Sequence, residues 1–367
     1  SVSLVGFAFS CYRRLSLVTV GSSENRFDRP LHRLKDMLIY AVGQKRVVSH
    51  PFGLNHGVIF WAFLALALAN LEFLVSGIFP ALSFALLPAP LHGALLFLFD
   101  ICSLATLVAV AVAAVRRTVR PPFDGARTLE AYIILAMIAT LMLASLGLNG
   151  VRIAQGTLPA TSATPVSVLV ASLINTTPAA THLQATGNVF WWLHAVVLLG
   201  FMNFLPYSKH MHILTAIPNV FLRGMGKSNT QERENFLEGN RFGAATVNRL
   251  SWKDLLDSFS CTECGRCQQS CPASSTGKAL NPREVIHAIK ENLLQNGAVM
   301  DKLAGDLVAE GSVSLIGNET KGSIKPTALW SCTSCGACME ACPVFIEHLP
   351  KIVKMRRHLV QMKASFP

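Results

Sequence analysis

Four long apolar segments constrain this chain more than any other feature of its sequence. They begin at His56, Leu91, Leu129 and Val189, and each continues for close to the length of a membrane span. About 20 helical residues cross the hydrocarbon core of a bilayer, in which only helices and closed barrels satisfy their backbone polar groups. The sequence therefore predicts four complete transmembrane helices. The apolar residues 1–10 predict the truncated end of a fifth.

Composition and charge agree with a membrane protein. The chain is 51% hydrophobic and 14% charged, well below the charged content typical of soluble domains. Its net charge of +11 is concentrated in two segments, residues 11–50 and the loop at 116–127, whereas the loop at 80–90 has no Lys or Arg and 150–187 has only Arg152. Because basic loops stay on the cytoplasmic side, both basic segments and the C-terminal part are expected there. No module for nucleic-acid binding accompanies the charge, so nucleic acid is not an expected partner.

The rest of the chain divides by polarity. The Thr-, Ser- and Pro-rich stretch 156–187 is expected to form an irregular cap outside the membrane, and the polar stretch after Asn219 is expected to be a linker. A later helix is expected to have Asn281 as its N-cap and Gly297 as its stop. The predicted parts are a helix end at 1–10, a cytoplasmic basic segment at 11–50, a transmembrane domain at 51–222, a linker at 223–250, a two-cluster ferredoxin-like domain at 251–360, and the start of a further domain at 361–367.

Eight of the ten cysteines form two identical patterns near the C-terminus. The first is "CTECGRCQQSCP" and the second is "CTSCGACMEACP"; both match the C-x2-C-x2-C-x3-C-P run of bacterial ferredoxins. In such runs three cysteines bind one [4Fe–4S] cluster and the fourth binds the other cluster. The pattern therefore predicts one cluster on Cys261, Cys264, Cys267 and Cys342, and a second on Cys332, Cys335, Cys338 and Cys271.

Zinc is the alternative to iron for these cysteines. Structural zinc usually takes two C-x2-C pairs from separate loops, and it does not require four cysteines within eleven residues followed by proline. The two runs therefore favour iron–sulfur clusters. The interval of about 60 residues between them is expected to be helical, which indicates an all-helical two-cluster domain. The predicted fold is thus all-α, a bundle of five spans with the first truncated, followed by this domain.

Three histidines lie on or just after the last apolar segment. His194 and His212 are 18 residues apart, so on a straight α-helix they share a face about 27 Å apart along the axis. His210 would lie on nearly the opposite face, and Pro206 is a possible kink. Two histidines on one face across a membrane are typical of helices that bind two stacked b-type haems. The pattern predicts His212 and His56 as ligands of a cytoplasmic haem.

An outer haem would need a partner for His194. His92 begins the second span from the outside and is the candidate on a membrane span, so the pair His194 and His92 is predicted to bind a second haem. The alternative is a single-haem protein in which His194 is hydrogen-bonded to quinone or to another helix.

The segments "VGQKRVVSHPFGLNHGVIFWAF" and "HAVVLLGFMNFLPYSKHMHILTAIPN" resemble the cytochrome b subunit of respiratory nitrate reductase. Fused to a two-cluster ferredoxin, they resemble membrane-bound iron–sulfur oxidoreductases that pass electrons between electron-transfer flavoprotein and menaquinone, and membrane heterodisulfide reductases are similar. The nitrate reductase type has two histidines on its second helix, where this sequence has His56 alone. The flavoprotein-linked relatives continue into cysteine-rich repeats, which the resemblance implies after residue 367 or on another subunit.

This resemblance implies a respiratory electron conduit in the cytoplasmic membrane of a bacterium or archaeon. A cytoplasmic donor, expected to be electron-transfer flavoprotein, would deliver electrons through two [4Fe–4S] clusters and one or two b-type haems to menaquinone. The reverse direction is the first alternative: quinol oxidation that feeds a cytoplasmic heterodisulfide or sulfur-compound reductase. A membrane anchor with structural clusters is the second, and it predicts purified protein without haem. No catalytic residue is predicted, because the redox chemistry belongs to the cofactors.

Overall fold

The regular secondary-structure elements among the described residues are all helical. The structure is a computed structural model that describes residues 2–79, 81–123, 125–159, 161–175, 182–231, 233–234, 236, 242–300, 313–317 and 321–367. Its α-helices are α1 (Val2–Leu15), α2 (Pro30–Asp36), α3 (Lys45–Val48), α4 (Gly53–Ile78), α5 (Ala89–Val119), α6 (Leu129–Ala154), α7 (Pro165–Asn175), α8 (Leu183–Phe204), α9 (His212–Phe221), α10 (Trp252–Ser260), α11 (Arg266–Gln269), α12 (Pro272–Ser275), α13 (Pro282–Met300), α14 (Pro326–Trp330), α15 (Ala337–Glu340) and α16 (His348–Arg357). The predicted all-α class is confirmed.

Short helical turns of other types join these helices. Turns of 3-10 helix lie at Ser16–Val20, Phe84–Leu86, Leu205–Tyr207, Lys209–Met211 and Val247–Arg249, and π-helical turns lie at Met37–Val42 and His358–Met362. Residues 301–312 and 318–320, which belong to the interval predicted to be helical, lie outside the described residues.

Four helices are long and apolar enough to cross a membrane, as the sequence predicted. They are α4, α5, α6 and α8 with its 3-10 extension to Tyr207. Helices α4, α6 and α8 pack around a core of small and apolar side chains: Ala62, Leu66, Ile134, Leu141, Met142, Leu198 and Phe201. Most of the apolar surface of α4 remains exposed. Such a surface is suited to lipid, which supports association with a membrane.

The stretch expected to be an irregular cap contains a helix, α7, so that expectation was wrong for residues 165–175. The buried Asp100 on α5 holds its N-terminus, because the carboxylate accepts hydrogen bonds from the backbone N–H groups of Val166 at 2.7 Å and Ser167 at 3.1 Å. Gly150 on α6 allows close packing of Val170. Residues 160 and 176–181 of the same stretch lie outside the described part of the chain.

The chain divides into two compact units. One is Val47–Phe204, which contains the four spans, and the other combines Ser1–Arg46 with Leu205–Pro367. The sequence had grouped the segment before residue 222 with the membrane domain. In the structure α9 packs in the second of these units, against α10.

The second unit is organised around α10 and α13. Ser251 and Asp254 form a capping box at the start of α10, since each side chain accepts the other residue's backbone N–H. Asn281 accepts the backbone N–H of Arg283 at 3.1 Å, as expected of a cap for α13. Gly297 does not end that helix, which continues to Met300. A side chain at Gly297 would meet Leu17 at 3.0 Å, so this glycine serves close packing.

A buried ion network joins α10 to α16. The Nζ atom of Lys351 lies 3.1 Å from Asp254 Oδ1 and 2.5 Å from Asp257 Oδ2, and Lys253 lies 2.7 Å from Asp257 Oδ1. Burial raises the pKa of Asp257, but the charges of Lys253 and Lys351 outweigh that effect and lower the pKa to about 2. The carboxylates are therefore ionised and depend on the lysines for compensation.

Replacing Lys351 with Met is expected to destabilise the second unit by about 3–5 kcal/mol, because it leaves buried carboxylates without their cation. The matched control is Lys278→Met, at an exposed position. Denaturant unfolding of the two purified variants measures the difference in free energy. A change no larger than that of the control would show that the network does not stabilise the fold.

Candidate metal centres

The structure brings the eight motif cysteines together in two cavities. The first cavity is lined by Cys261, Cys264, Cys267 and Cys342. The second cavity is lined by Cys271, Cys332, Cys335 and Cys338. Each thus contains three cysteines from one run and the last cysteine of the other. The arrangement agrees with the ligand sets predicted from the sequence, which remain a prediction for the clusters themselves.

The same backbone conformation shapes both cysteine loops. In each run the second cysteine lies between two residues with positive φ: Glu263 (52°) and Gly265 (80°) in the first, Ser334 (57°) and Gly336 (77°) in the second. Left-handed residues turn the chain sharply, and successive N–H groups in such turns form concave nests that favour anions. The third cysteine then lies on a short helix, α11 or α15. The loops can therefore surround an anionic group.

Backbone N–H groups also point at cysteine sulfurs in both cavities. Ile346 donates to Cys342 Sγ at 3.3 Å, and Ser334 donates to Cys332 Sγ at 3.4 Å. Hydrogen bonds to the sulfurs are one of the means by which a protein sets the potential of an iron–sulfur cluster.

The electrostatics of the thiols fit a cationic iron core. Burial, reinforced by neighbouring thiols, raises the pKa of Cys342 and Cys338 to about 12, and it raises the pKa of Cys261 and Cys267 as well. Buried thiols that converge on one another stay protonated at neutral pH until a metal displaces the protons. Four iron ions would supply the positive charge that stabilises the thiolates in each cavity.

A carboxylate stands beside the first cavity. Burial raises the pKa of Glu263, but the hydrogen bond from His287 at 2.9 Å, together with the positive charges of His287, Lys290 and Lys209, outweighs burial and lowers the pKa to about 2. The same hydrogen bond raises the pKa of His287. This pair ties the first cysteine loop to α13.

His212 does not lie on the same straight helix as His194. Helix α8 ends at Phe204, two 3-10 turns follow, and His212 is the first residue of α9. Pro206 has no N–H to continue the α-helix, and the Ser208 side chain accepts the N–H of His210 to begin a new turn. The expected spacing of five helical turns on one face was therefore wrong.

The side chain of His212 is oriented as a metal ligand would be. Its Nδ1 lies 2.8 Å from the carbonyl oxygen of Lys209, which fixes the tautomer and leaves Nε2 as the ligating atom. His56 is an exposed residue in the first turn of α4. The pairing of these two histidines as axial ligands of one haem stays a prediction of the sequence.

Helix α9 packs against α10 and against the apolar cluster beside the first cavity. Thr215 donates to the carbonyl oxygen of Phe259 at 3.1 Å, and Ser260 donates to that of Thr215 at 3.3 Å. Ala216 lies against the apolar cluster that includes Cys261 and Cys342. The helix that begins with His212 therefore packs against the apolar cluster to which Cys261 and Cys342 belong.

His194 is buried and has a partner on another helix. Its Nε2 lies 2.9 Å from Oδ1 of Asn70 on α4, and its ring packs edge-on against Phe73 at 4.7 Å. Within the described residues, no hydrogen bond or ring contact joins His194 to the half-buried His92. The outer haem remains a prediction of the sequence, and the electron route proposed below does not depend on it.

A scan of protein families identifies the cysteine region. Residues 253–343 match the 4Fe-4S dicluster domain. The chain is 28% identical over 384 residues to the probable iron–sulfur-binding oxidoreductase FadF of Bacillus subtilis, and 29% identical over 395 residues to the EtfAB:quinone oxidoreductase of Syntrophomonas wolfei. These matches cover 96% and 98% of this chain, and 54% of each relative.

A shorter match involves an archaeal enzyme. Over 106 residues the chain is 28% identical to one of the subunits of the ferredoxin:CoB-CoM heterodisulfide reductase of Methanosarcina mazei. This match covers 29% of the chain and 48% of that relative. No solved structure matches the chain.

The two long matches confirm the resemblance to membrane-bound iron–sulfur oxidoreductases. The chain has a 4Fe-4S dicluster domain and four helices long and apolar enough to span a membrane, and over most of its length it is similar to iron–sulfur oxidoreductases. It spans about half the length of the curated relatives it matches.

Proposed function

We propose that this chain carries electrons from a cytoplasmic flavoprotein to menaquinone, using two [4Fe–4S] clusters and a b-type haem held by His56 and His212. The packing of α9 against the apolar cluster of Cys261 and Cys342 is the observation that carries this proposal. It puts a histidine with an available ligating nitrogen at the start of a helix that packs beside the first cluster site. The relative from Syntrophomonas, named an EtfAB:quinone oxidoreductase, supports both the donor and the acceptor.

The exposure of the cysteines indicates an order for the two cluster sites. Cys335 in the second cavity is exposed, whereas Cys261, Cys267 and Cys342 in the first are buried. A site with an exposed ligand is accessible to a soluble partner, and a site with buried ligands beside α9 is suited to electron exchange with a haem bound by His212. We therefore assign electron uptake to the second cavity and delivery to the first.

The residues of the chain bind the cofactors and shield them from water. Clusters and haem, when bound, accept and release single electrons, which connects a flavin to a quinone. The cysteines hold iron, the loops supply N–H groups to sulfur, and the apolar side chains around Cys261 and Cys342 exclude water. The basic segment 11–50 supports a cytoplasmic position for this unit in a prokaryotic membrane.

The opposite direction of electron flow is the second candidate. The likeness of part of the chain to the Methanosarcina heterodisulfide reductase is the observation that favours it. In this alternative the chain oxidises quinol and feeds a cytoplasmic reductase. It uses the same cluster sites in reverse.

Reduced electron-transfer flavoprotein is expected to reduce a menaquinone analogue only when the chain, purified in lipid nanodiscs, is present. Absorbance of haem and of the quinone follows the reaction, and flavoprotein without the chain is the control. Menaquinol with a disulfide acceptor and its reductase tests the second candidate. A chain that purifies without haem would reject both in favour of the membrane anchor, and reduction by dithionite but not by the flavoprotein would reject this donor.

A further inference from the structure

An arginine from the N-terminal basic segment contacts the last ligand of the first cavity. The guanidinium of Arg46 donates to the carbonyl oxygens of Cys342 at 3.1 Å and Met339 at 3.3 Å. It lies over the ring of Phe345 at 3.8 Å. The backbone carbonyl of Arg46 accepts a hydrogen bond from Arg266 of the first cysteine run. Both cysteine runs thus fix the position of Arg46.

A second arginine, Arg356, contacts the backbone of a cysteine that lines the second cavity. The guanidinium of Arg356 on α16 donates to the carbonyl oxygen of Cys332 and to that of Leu329 at 2.6 Å. It also donates to Ser334 Oγ at 3.2 Å and lies over the ring of Trp330 at 5.2 Å. Each cavity therefore has one arginine hydrogen-bonded to the backbone of one of its cysteines.

A guanidinium at this position affects the charge balance of a bound cluster. Reduction adds one electron to the cluster and makes it more negative by one charge, without a proton. A permanently charged arginine nearby stabilises that reduced form, and arginine does not lose its proton in proteins. Net charge and hydrogen bonding near the sulfurs are established determinants of cluster potential.

We propose that Arg46 and Arg356 each raise the midpoint potential of one cluster. Arg46 acts on the cluster of the first cavity, and Arg356 acts on that of the second. The proposal rests on the proposed function only in requiring both clusters. It assigns to the N-terminal segment a role in the redox chemistry of a domain more than 200 residues away in sequence.

The two arginines differ in how far their charge is compensated. Glu340, 64% exposed, lies 3.0 Å from Arg46. Among the described carboxylates, none forms an ion pair with Arg356. The uncompensated charge of Arg356 should therefore affect its cluster more than the charge of Arg46 affects the first.

The effect of the two arginines on the midpoint potentials is tested by redox titration of the purified chain with dithionite, monitored by electron paramagnetic resonance. The two signals are assigned with Cys264→Ala and Cys335→Ala, which lie in the first and second cavity. We expect Arg46→Gln to lower only the midpoint of the first cluster and Arg356→Gln only that of the second. A roughly tenfold fall in the ratio of reduced to oxidised cluster at fixed potential corresponds to about 59 mV for one electron. Unchanged midpoints, or equal shifts of both clusters in either variant, would overturn the proposal.

Two further substitutions separate charge from folding. Arg46→Lys and Arg356→Lys keep the charge but lose the forked hydrogen bonds, so their midpoints should stay closer to the native values than those of the Gln variants. Glu340→Gln removes the exposed carboxylate that screens Arg46 and should raise the midpoint of the first cluster. It tests the proposal even if Arg46→Gln does not retain iron, and an unchanged midpoint in Glu340→Gln would then reject it. The titration needs no flavoprotein or quinone, so a failure of the proposed donor leaves this result interpretable.

Discussion

Replacing Cys342 with alanine is expected to remove the cluster of the first cavity and to leave that of the second in place. Cys342 belongs to the second cysteine run, yet it lines the cavity of Cys261, Cys264 and Cys267. A [4Fe–4S] cluster that loses one of its four thiolates loses the anchor of one iron, so we expect near-complete loss of that signal. The reciprocal variant, Cys271→Ala, should remove only the second cluster.

Iron content and electron paramagnetic resonance of the reduced protein measure this result. Each variant should retain about half of the native non-haem iron, and the two variants should lose different signals. Cys11→Ser and Cys102→Ser are the matched controls, because both cysteines lie outside the two cavities and should leave the iron content unchanged. Loss of the second signal in Cys342→Ala would show that each run binds its own cluster.

The parts of this molecule that depend on local pattern could be predicted from the sequence. Hydropathy identifies the four spans because lipid requires a long apolar helix whatever surrounds it. Cysteine spacing predicts which residues meet in each cavity, since a cluster fixes the distances among its ligands. The capping box at Ser251 likewise depends on residues only three positions apart.

The features that depend on tertiary packing could not be predicted. Helix α7 begins where Asp100, far away in sequence, accepts hydrogen bonds from its first N–H groups. The Thr-, Ser- and Pro-rich composition of this stretch does not predict a helix. Gly297 looks like a helix stop, but in the structure Leu17 packs where its side chain would be. Pro206 indicates a possible kink. That α8 ends and a separate helix begins at His212 depends also on the hydrogen bond from the backbone N–H of His210 to the Ser208 side chain.

The residues that sequence reasoning missed near the metal centres carry only a weak signal. Arg46 belongs to a basic segment whose charges are explained by membrane orientation, and Arg356 is one of several basic residues near the C-terminus. Asn70 is the exception: a polar residue within an apolar span is costly unless it has a partner, and this one bonds to His194. A search for partners of polar residues in membrane spans would have suggested this pair.

Replacing His212 with alanine is expected to remove one b-type haem per chain, and His56→Ala should have the same effect. The structure holds His212 Nδ1 against the carbonyl of Lys209, so that Nε2 is available to a metal. Alanine has no nitrogen that could serve as an axial ligand. The iron–sulfur signals should remain, because His212 lines neither cavity.

Haem content by the pyridine haemochrome method and the reduced absorption spectrum measure this loss. The control is His210→Ala, a neighbour whose ring lies 5.4 Å from that of His212 and which should leave the haem content unchanged. If His210 proves essential and His212 does not, the assignment of the cytoplasmic ligand is wrong.

The same measurement decides the outer haem predicted on His194 and His92. Two haems in the native chain, with one left after His212→Ala and after His194→Ala, would support that prediction. One haem in the native chain and none after His212→Ala would refute it, and it would leave Asn70 as the functional partner of His194. In that case His194→Ala should retain the haem and affect only the stability of the membrane unit, because an unpaired Asn70 would remain in the bundle.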